Sequence, residues 1–168
     1  MDFLSKDDAR AWMGAHAPGA DASFDRKSAR AKGAISIYIE HMPPPRHLYL
    51  AREGLAWVRE ACDAQAPTLF WVREWGVWRA YEHDHMYTAL RSAYPGSGSL
   101  EERPALVGGP DESDDVLSFL FLGLCFGWGG IIAAGGSDRT FNFDHDGVVW
   151  LTSPRQSETE AARSWLGA

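Results

Sequence analysis

The sequence predicts an α+β fold, a single domain in which helices pack on a mainly antiparallel sheet of about five strands. Two patterns predict it: apolar residues recur at helical spacing in several segments, and short runs rich in β-branched and aromatic residues lie between them. A chain of 168 residues buries enough surface for one hydrophobic core. No internal repeat, linker or change of composition divides it, so we expect one domain over residues 1–168.

Helical periodicity accounts for five segments. The first follows Ser5, a favourable N-cap, and Gly54 is expected to weaken the second. In the third helix the spacing predicts that Met86, Leu90 and Ala93 face the core. The predicted helices span residues 5–16, 46–62, 81–94, 114–126 and 157–166.

Five other segments have the composition of strands. Ile35, Ile37 and Ile39 alternate with polar residues, which is typical of a half-buried strand. The last two strand-like runs are separated by Asp144, His145 and Asp146, a turn-prone sequence that predicts a hairpin. The predicted strands span residues 35–39, 68–73, 130–134, 140–143 and 147–151.

Residues 116–136 contain no charged side chain and form a run long enough to span a bilayer. Gly123 and Gly127 also have the spacing found in paired membrane helices. Further glycines interrupt the second half, however, and no basic cluster flanks the segment to set an orientation. We therefore expect a buried helix, a glycine break and a buried strand, with Trp128 in the core at their junction.

The charge balance indicates which partners the protein attracts. The formal net charge is -7 and the isoelectric point is near 5.3. Such a surface repels phosphate backbones and anionic membranes, so neither nucleic acid nor a membrane is expected as a ligand, whereas a basic protein is attracted. The first ten residues lack the basic start and apolar run of a secretory signal, which predicts a cytoplasmic protein.

Motifs for cofactor chemistry are missing from the sequence. Its two cysteines, Cys62 and Cys125, lie far apart and form no C-x-x-C pair, so neither a disulfide framework nor a cysteine zinc site is indicated. Cys125 lies in the apolar run, where we expect it to be buried and unreactive. The sequence contains no G-x-S-x-G elbow and no glycine-rich phosphate-binding motif. No cofactor is expected.

The densest group of titratable side chains lies at the predicted start of the third helix. Glu82 and His85 are three residues apart and share a helix face, a spacing that carboxylate-bridged di-iron proteins use for ligand pairs. With His145 they define an alternative metal site, and with His145 and Asp146 an alternative metal-dependent or acid–base enzyme. These ligands are too few for a closed site, so we expect no metal. His85 would then hydrogen-bond a buried backbone group.

A candidate partner surface begins where the second predicted strand ends. Aromatic and acidic side chains surround Gly76 there, and binding hot spots favour Trp and Tyr, with charges at the rim. The predicted partner-binding residues are Glu74, Trp75, Trp78, Tyr81, Glu82 and Asp84. The alternative interpretation is that Trp75 and Trp78 cap the sheet. If the starts of the third and fourth helices share an edge, the acidic segment 111–115 would extend this surface.

Residues 67–151 carry a series of short motifs: W-x-x-E-W-G-x-W, a Glu, L-R, an acidic pair, G-W and a D-H-D turn. The residues concerned are Trp71, Glu74, Trp75, Gly76, Trp78, Glu82, Leu90, Arg91, Asp114, Asp115, Gly127, Trp128, Asp144, His145 and Asp146. In this pattern the chain resembles an uncharacterised family of small acidic bacterial proteins, which are similar in size and charge to immunity proteins of bacterial toxin systems. Gly129 and Gly147 replace acidic residues of the family pattern. The resemblance implies the fold more than a reaction.

The sequence therefore favours a non-enzymatic protein-binding domain over an enzyme. The hypothesis is an immunity-type inhibitor that binds a toxin or another basic bacterial protein, because the chain is small, acidic and lacks a complete catalytic set. The alternative is the small enzyme that uses Glu82, His85, His145 and Asp146.

Overall fold

The computed structural model describes residues 1–20, 34–39, 41–75 and 81–167, without the side chains of residues 81–84. The described residues form seven strands and five helices. The strands are β1 (Asp2–Leu4), β2 (Ile35–Tyr38), β3 (Thr68–Glu74), β4 (Ala105–Gly108), β5 (Gly129–Ala134), β6 (Thr140–Phe143) and β7 (Val148–Thr152). The helices are α1 (Lys6–His16), α2 (Pro44–Arg59), α3 (Tyr81–Ser92), α4 (Ser113–Cys125) and α5 (Gln156–Leu166).

The seven strands form one sheet in the order β1-β4-β3-β5-β6-β7-β2, and each described pair of neighbours is antiparallel. The predicted α+β class is confirmed, but the sheet is larger than the five strands expected. The two additional strands, β1 and β4, pair with each other. β1 has only three residues, and β4 has no alternation because three of its four residues are buried. Neither therefore has a period-two pattern.

Helices cover both faces of the sheet. On one face, α2, α4 and α5 pack on Phe70, Ile132, Phe141 and Leu151, and Tyr87 of α3 joins the same core. On the other face, α1 places its buried residues against alternate residues of the central strands. These contacts form a second core of Ala9, Met13, Leu69, Trp71, Ala105, Ile131 and Ala133. The sheet thus lies between two apolar layers, as its fully buried central strands require.

The apolar run 116–136 forms the helix, break and strand that the glycines predicted. α4 ends at Cys125, and Gly127 adopts φ +62°, a left-handed conformation that favours glycine. Trp128 is 4% exposed, and its ring lies 4.8 Å from that of Tyr87 and 5.2 Å from that of Phe126. The predicted core position of Trp128 is confirmed. Among the described helices, none is both long and apolar enough to cross a membrane.

The structure shows how one predicted helix accommodates a glycine and corrects the inward face of another. α2 continues through Gly54. The glycine allows the helix to approach the sheet, because a side chain at that position would overlap the ring of Phe141. In α3, Met86 is 59% exposed and Ala93 is also exposed, whereas Tyr87 and Arg91 are buried. The inward face is shifted because a buried arginine occupies a position that an apolar pattern assigns to the surface.

Candidate functional site

One end of the sheet brings together residues that are distant in sequence. Glu74, the last residue of β3, pairs with Gly129 at the start of β5, and a bulge separates Glu74 from Val72. Gly130 in turn pairs with Phe143, the last residue of β6. The β6–β7 turn therefore lies at the same end of the sheet as Glu74. We call this region, made of residues 74–75 and 144–147, the acidic end.

The turn at the acidic end is held by its own backbone and by one carboxylate. Asp144 is 9% exposed, and its Oδ1 accepts a hydrogen bond from the Val148 N–H at 3.0 Å. The Gly147 N–H donates to the Asp144 carbonyl at 3.1 Å, and Gly147 adopts φ +71°. A glycine is favoured at position 147, because L side chains rarely adopt a positive φ. His145 and Asp146 are thereby presented at the tip.

His145 connects the turn to β3. Its Nδ1 donates a hydrogen bond to Glu74 Oε2 at 2.8 Å, and its Nε2 lies 3.5 Å from Asp146 Oδ1. The side chains of His145, Glu74 and Asp146 are 30%, 34% and 54% exposed. The hydrogen bond to Glu74 is the main cause that raises the pKa of His145 above its ordinary value, and burial opposes it. The ring is therefore protonated over a wider pH range than a free histidine.

This geometry limits the chemistry that His145 can perform. A general base needs a ring nitrogen that is able to accept a proton, whereas both nitrogens here face carboxylates that favour the imidazolium. One imidazolium faces Glu74 and Asp146, and the Asp144 carboxylate is also near enough to raise the His145 pKa. The acidic end thus combines three carboxylates with a pH-dependent group.

The structure places the predicted partner-binding residues only in part. Glu74 lies in the acidic end, and Trp75 beside it is half-buried and packs against the main core, as in the sheet-capping alternative. Trp78 lies outside the described residues. Tyr81, Glu82 and Asp84 belong to the first turn of α3, and their side chains are also outside the described part of the structure. The set as a whole stays a prediction.

The condition for an acidic extension of this surface, that the starts of α3 and α4 share an edge, is not met. Tyr87 near the middle of α3 contacts Trp128, which follows α4, whereas Tyr94 beyond the end of α3 hydrogen-bonds Asp115 in the first turn of α4. The two helices are therefore antiparallel, and their starts lie at opposite ends. The acidic segment 111–115 has a structural role instead, since Glu112 forms an ion pair with the N-terminal ammonium and accepts from the Gly109 N–H at 2.9 Å.

The metal and enzyme alternatives depend on where Glu82, His85 and His145 lie. His145 bonds Glu74, a partner that the sequence analysis did not assign to it. His85 is exposed on α3, so the expectation that it bonds a buried group is wrong. Among the residues whose side chains are described, no three His, Cys, Asp or Glu are grouped so that they could hold a metal ion. Because the side chain of Glu82 is not among them, the set of Glu82, His85 and His145 stays a prediction.

One cysteine–histidine pair was not predicted. Cys125 at the end of α4 is half-buried, and its Sγ lies 3.8 Å from Nδ1 of His47 in α2. Burial raises the pKa of the Cys125 thiol and lowers that of His47, so both groups are held neutral. A nucleophilic cysteine requires the opposite, a depressed thiol pKa. The pair therefore fits the expected unreactive cysteine, and no sequence motif connects residues in two antiparallel helices.

A buried arginine was also missed. Arg91 is 2% exposed, and its guanidinium donates to the carbonyl oxygens of Ser97 and, at 2.8 Å, of Arg103. The same group stacks on the ring of Phe3 at 4.5 Å from the centroid. Arg91 thus fastens the end of α3 to the segment before β4 and to β1. These contacts give the arginine of the L-R motif a structural role.

In comparisons with known proteins, the chain matches no protein-family model, no curated protein and no solved structure. The fold and the acidic end together define the structural class of the protein. The chain is an α+β domain whose antiparallel sheet is covered by helices on both faces, with a carboxylate–histidine cluster exposed at one end.

Proposed function

We propose that the chain is a non-enzymatic protein-binding domain, an immunity-type inhibitor that holds a basic bacterial protein against its acidic end. The observation that carries this proposal is the cluster of Glu74, His145 and Asp146. These side chains come from two segments about seventy residues apart in sequence, and they remain a third to a half exposed. Exposed charges that a rigid sheet holds in place are preorganised for a partner.

The charge of the chain supports a basic partner. The formal net charge of -7 steers cationic surfaces towards the protein over distances of about 10 Å at moderate salt. At the acidic end, carboxylates outnumber the imidazolium even when His145 is protonated. Association with a basic partner should therefore slow as salt is added, because rim charges act mainly on the association rate.

Aromatic residues beside the acidic end supply the apolar part of the proposed interface. Trp75 is half-buried and keeps part of its ring accessible, and the sequence continues with Trp78 and Tyr81. Trp and Tyr dominate binding hot spots because a large ring removes much apolar area from water and loses little conformational entropy. We propose that the partner contacts the predicted set together with the turn. This set is Glu74, Trp75, Trp78, Tyr81, Glu82, Asp84, His145 and Asp146.

The enzyme alternative is favoured by one observation, the hydrogen bond between Glu74 and His145. A carboxylate that orients an imidazole is one part of many acid–base sites. In such an enzyme His145 would start the cycle as the acid, since its raised pKa keeps the proton on the ring, and Glu82, His85 and Asp146 would line the site. A turnover that is lost in His145→Gln and needs no protein partner would identify this function.

The test is capture of a partner from lysate of the source organism, identification of that partner, and titration of the purified pair. We expect the Kd to rise with salt and to rise about tenfold or more in Asp146→Lys, because reversing a charge within an interface opposes binding. Trp78→Ala combined with Asp84→Lys should weaken binding to a similar extent. Circular dichroism and thermal melting would show that each variant is folded.

Glu160→Lys is the matched control, because it changes the net charge equally in α5, where Glu160 pairs with Arg163 on the surface. We expect less than about a threefold change in Kd for it. Equal losses in Asp146→Lys and Glu160→Lys would mean that overall charge, and not the acidic end, determines binding. Unchanged binding by the folded Asp146→Lys and Trp78→Ala/Asp84→Lys variants would contradict the proposal.

A further inference from the structure

A pocket lies between α1 and β3, on the face of the sheet opposite to α2 and α4. Its volume is about 360 Å³, which is within the range of small-molecule sites. Among the described residues that line it, Arg10 comes from α1, and Trp71 and Arg73 come from β3. None of these residues belongs to the acidic end. The pocket is therefore a different surface from the one proposed to bind a protein partner.

The direction of α1 determines which lining residues are neighbours. The Gly136 N–H donates to the carbonyl of His16, the last residue of α1, at 2.7 Å. Gly136 follows β5, whose last residue, Ala134, pairs with Thr68 at the start of β3. The end of α1 therefore lies near the start of β3, and the two elements run in opposite directions.

This arrangement gives the pocket a charged end and an apolar end. Arg10, from the first half of α1, lies at the same end as Arg73, the residue before the last of β3. Further along the helix, the lining is apolar and consists of Met13, Ala17 and Pro18. A ligand that fits the pocket needs the same division into a charged part and an apolar part.

The charged end holds two guanidinium groups near each other. Arg73 stacks on Trp71 at 4.6 Å from the ring centroid, a contact that orients its guanidinium. Burial lowers the pKa of Arg73, the charge of Arg10 lowers it further, and Glu74 opposes both effects. Arg10 also pairs with Asp7 at 2.9 Å, but this contact is exposed on both sides and contributes little. An anion bound beside both arginines would reduce the repulsion between them.

Gly14 leaves space in the middle of the pocket. A side chain at this position would meet no atom of the described residues within 4 Å of its Cβ. Glycine is a poorer helix former than alanine, and no close contact within the fold requires it here. The glycine thus keeps open the volume between the charged end and the apolar end.

We propose that this pocket binds a small organic anion, a carboxylate or phosphate group attached to a compact apolar body. Arg10 and Arg73 hold the anionic group. Each guanidinium has five N–H donors in a plane that matches both oxyanions, so it can bind a ligand in addition to its partners within the chain. The apolar body lies against Met13 and Ala17. The anion then lies about 9 Å before the end of α1, where the helix dipole would repel it.

NMR titration of the full chain at constant ionic strength tests the site with two probes, benzoate and phenyl phosphate. We expect saturable shifts of the Gly14 amide and of the Arg73 Nε–H signal, and the tighter probe identifies the preferred oxyanion. Benzamide has the shape of benzoate without its charge and should bind at least about tenfold more weakly. Inorganic phosphate lacks the apolar body and should bind at least about tenfold more weakly than phenyl phosphate.

Two results of these titrations overturn the proposal. One is the absence of saturable shifts with both probes up to tens of millimolar. The other is binding of benzamide as tight as that of benzoate, because the arginines would then take no part. Binding here requires no protein partner, so the result is independent of the function proposed for the acidic end.

Variants of the lining then place the bound probe. Arg10→Gln and Arg73→Gln should each weaken binding of the tighter probe at least about tenfold, since each removes one charged donor group. Arg52→Gln is the matched control, because it removes the same charge from an exposed position on α2 at the opposite face of the sheet. Its Kd should change less than about twofold.

Filling the pocket is the second structural test. Gly14→Leu should abolish binding because the new side chain occupies the open volume. Ala15→Leu adds a leucine one residue further along α1, at an exposed position outside the lining, and should leave the Kd unchanged. Melting temperatures check that the variants fold, and Arg10 is exposed, so Arg10→Gln should keep the fold in any case. Undiminished binding by folded Arg10→Gln and Gly14→Leu would place the probe elsewhere and overturn the proposal.

Discussion

The two ends of the β6–β7 hairpin carry polar clusters of opposite character. At the open end, Arg139 bonds Glu158 at 3.0 Å and Glu60 at 3.2 Å, and its guanidinium stacks on the ring of Trp57 at 4.3 Å. Arg155 adds a second bond to Glu158 and one to Asp138. At the turn, a single imidazolium faces Glu74 and Asp146, with Asp144 behind it.

The two clusters differ in how they are built, which separates a structural network from the surface that we propose binds a partner. At the open end, two arginines meet three carboxylates, and Arg139 keeps only 11% of its side chain exposed while it joins α2, β6 and α5. At the turn, the central cation is the imidazolium of His145, whose side chain is 30% exposed and whose charge depends on pH. We infer that ionic contacts stabilise the open end, whereas apolar packing beneath the surface stabilises the acidic end.

The largest effect should come from the packing beneath the acidic end. Trp128→Ala should lower the free energy of unfolding by about 3–5 kcal/mol, since it removes a buried ring packed on Tyr87 and Phe126. His145→Ala, in the exposed cluster above, should cost less than about 1 kcal/mol. Urea denaturation measures both. Equal losses would show that the ionic cluster itself holds this end together.

The open end should depend on its arginine. Arg139→Ala should cost about 2–4 kcal/mol, because it leaves the partly buried Glu158 short of a partner and removes the stacking on Trp57. Arg155→Ala should cost less, because its side chain is 54% exposed and Glu158 then retains Arg139. Thermal or urea unfolding of the two variants provides the comparison, and the reverse order would contradict the role assigned to Arg139.

The elements that could be predicted from the sequence are those with an internal period. The alternation of Ile35 and Ile37, the helical spacing of α2 and the glycines after α4 depend on local chemistry, so they place elements to within a few residues. β1 was missed because three residues are too few to show a period, and β4 because three of its four residues are buried, which hides any alternation. Both are held by pairing with neighbouring strands.

The candidate site could be predicted only as separate pieces. Glu74 and His145 were both singled out, but for different functions, because their proximity depends on the register of β3, β5 and β6 and not on any local pattern. The contact of Arg91 with the ring of Phe3 and the pair of Cys125 and His47 likewise join residues that are distant in sequence. They depend on how the helices and strands pack. Residue types thus indicate which side chains can act, and the pairing of strands and helices decides which of them meet.

Acid should weaken the open end selectively. Contacts with Arg139 lower the pKa of Glu158 from its ordinary value of 4.5 to about 2. A lowered folded-state pKa contributes stability above pH 4.5, and this contribution is lost as the pH falls towards 2. Urea midpoints measured between pH 6 and pH 2.5 should therefore fall more steeply for the wild type than for Glu158→Gln. Parallel curves would mean that the contacts with Arg139 do not lower the pKa of Glu158 in the folded state.

The smallest effect should come from His145, and it has the opposite sign. Its folded-state pKa is raised, so its contribution to stability is complete below its ordinary value of 6.5 and is lost as the pH rises through the folded-state pKa. The contribution should stay below about 1 kcal/mol, since solvent screens a pair that is a third exposed. NMR titration of the His145 ring is more sensitive than unfolding. We expect a His145 pKa above the ordinary value of 6.5 in the wild type, and a lower value in Glu74→Gln because the main partner of the imidazolium is then neutral. Glu160→Gln is the control and should leave the His145 titration unchanged. A His145 pKa that does not respond to Glu74→Gln would mean that the two groups do not form the cluster on which the acidic end depends.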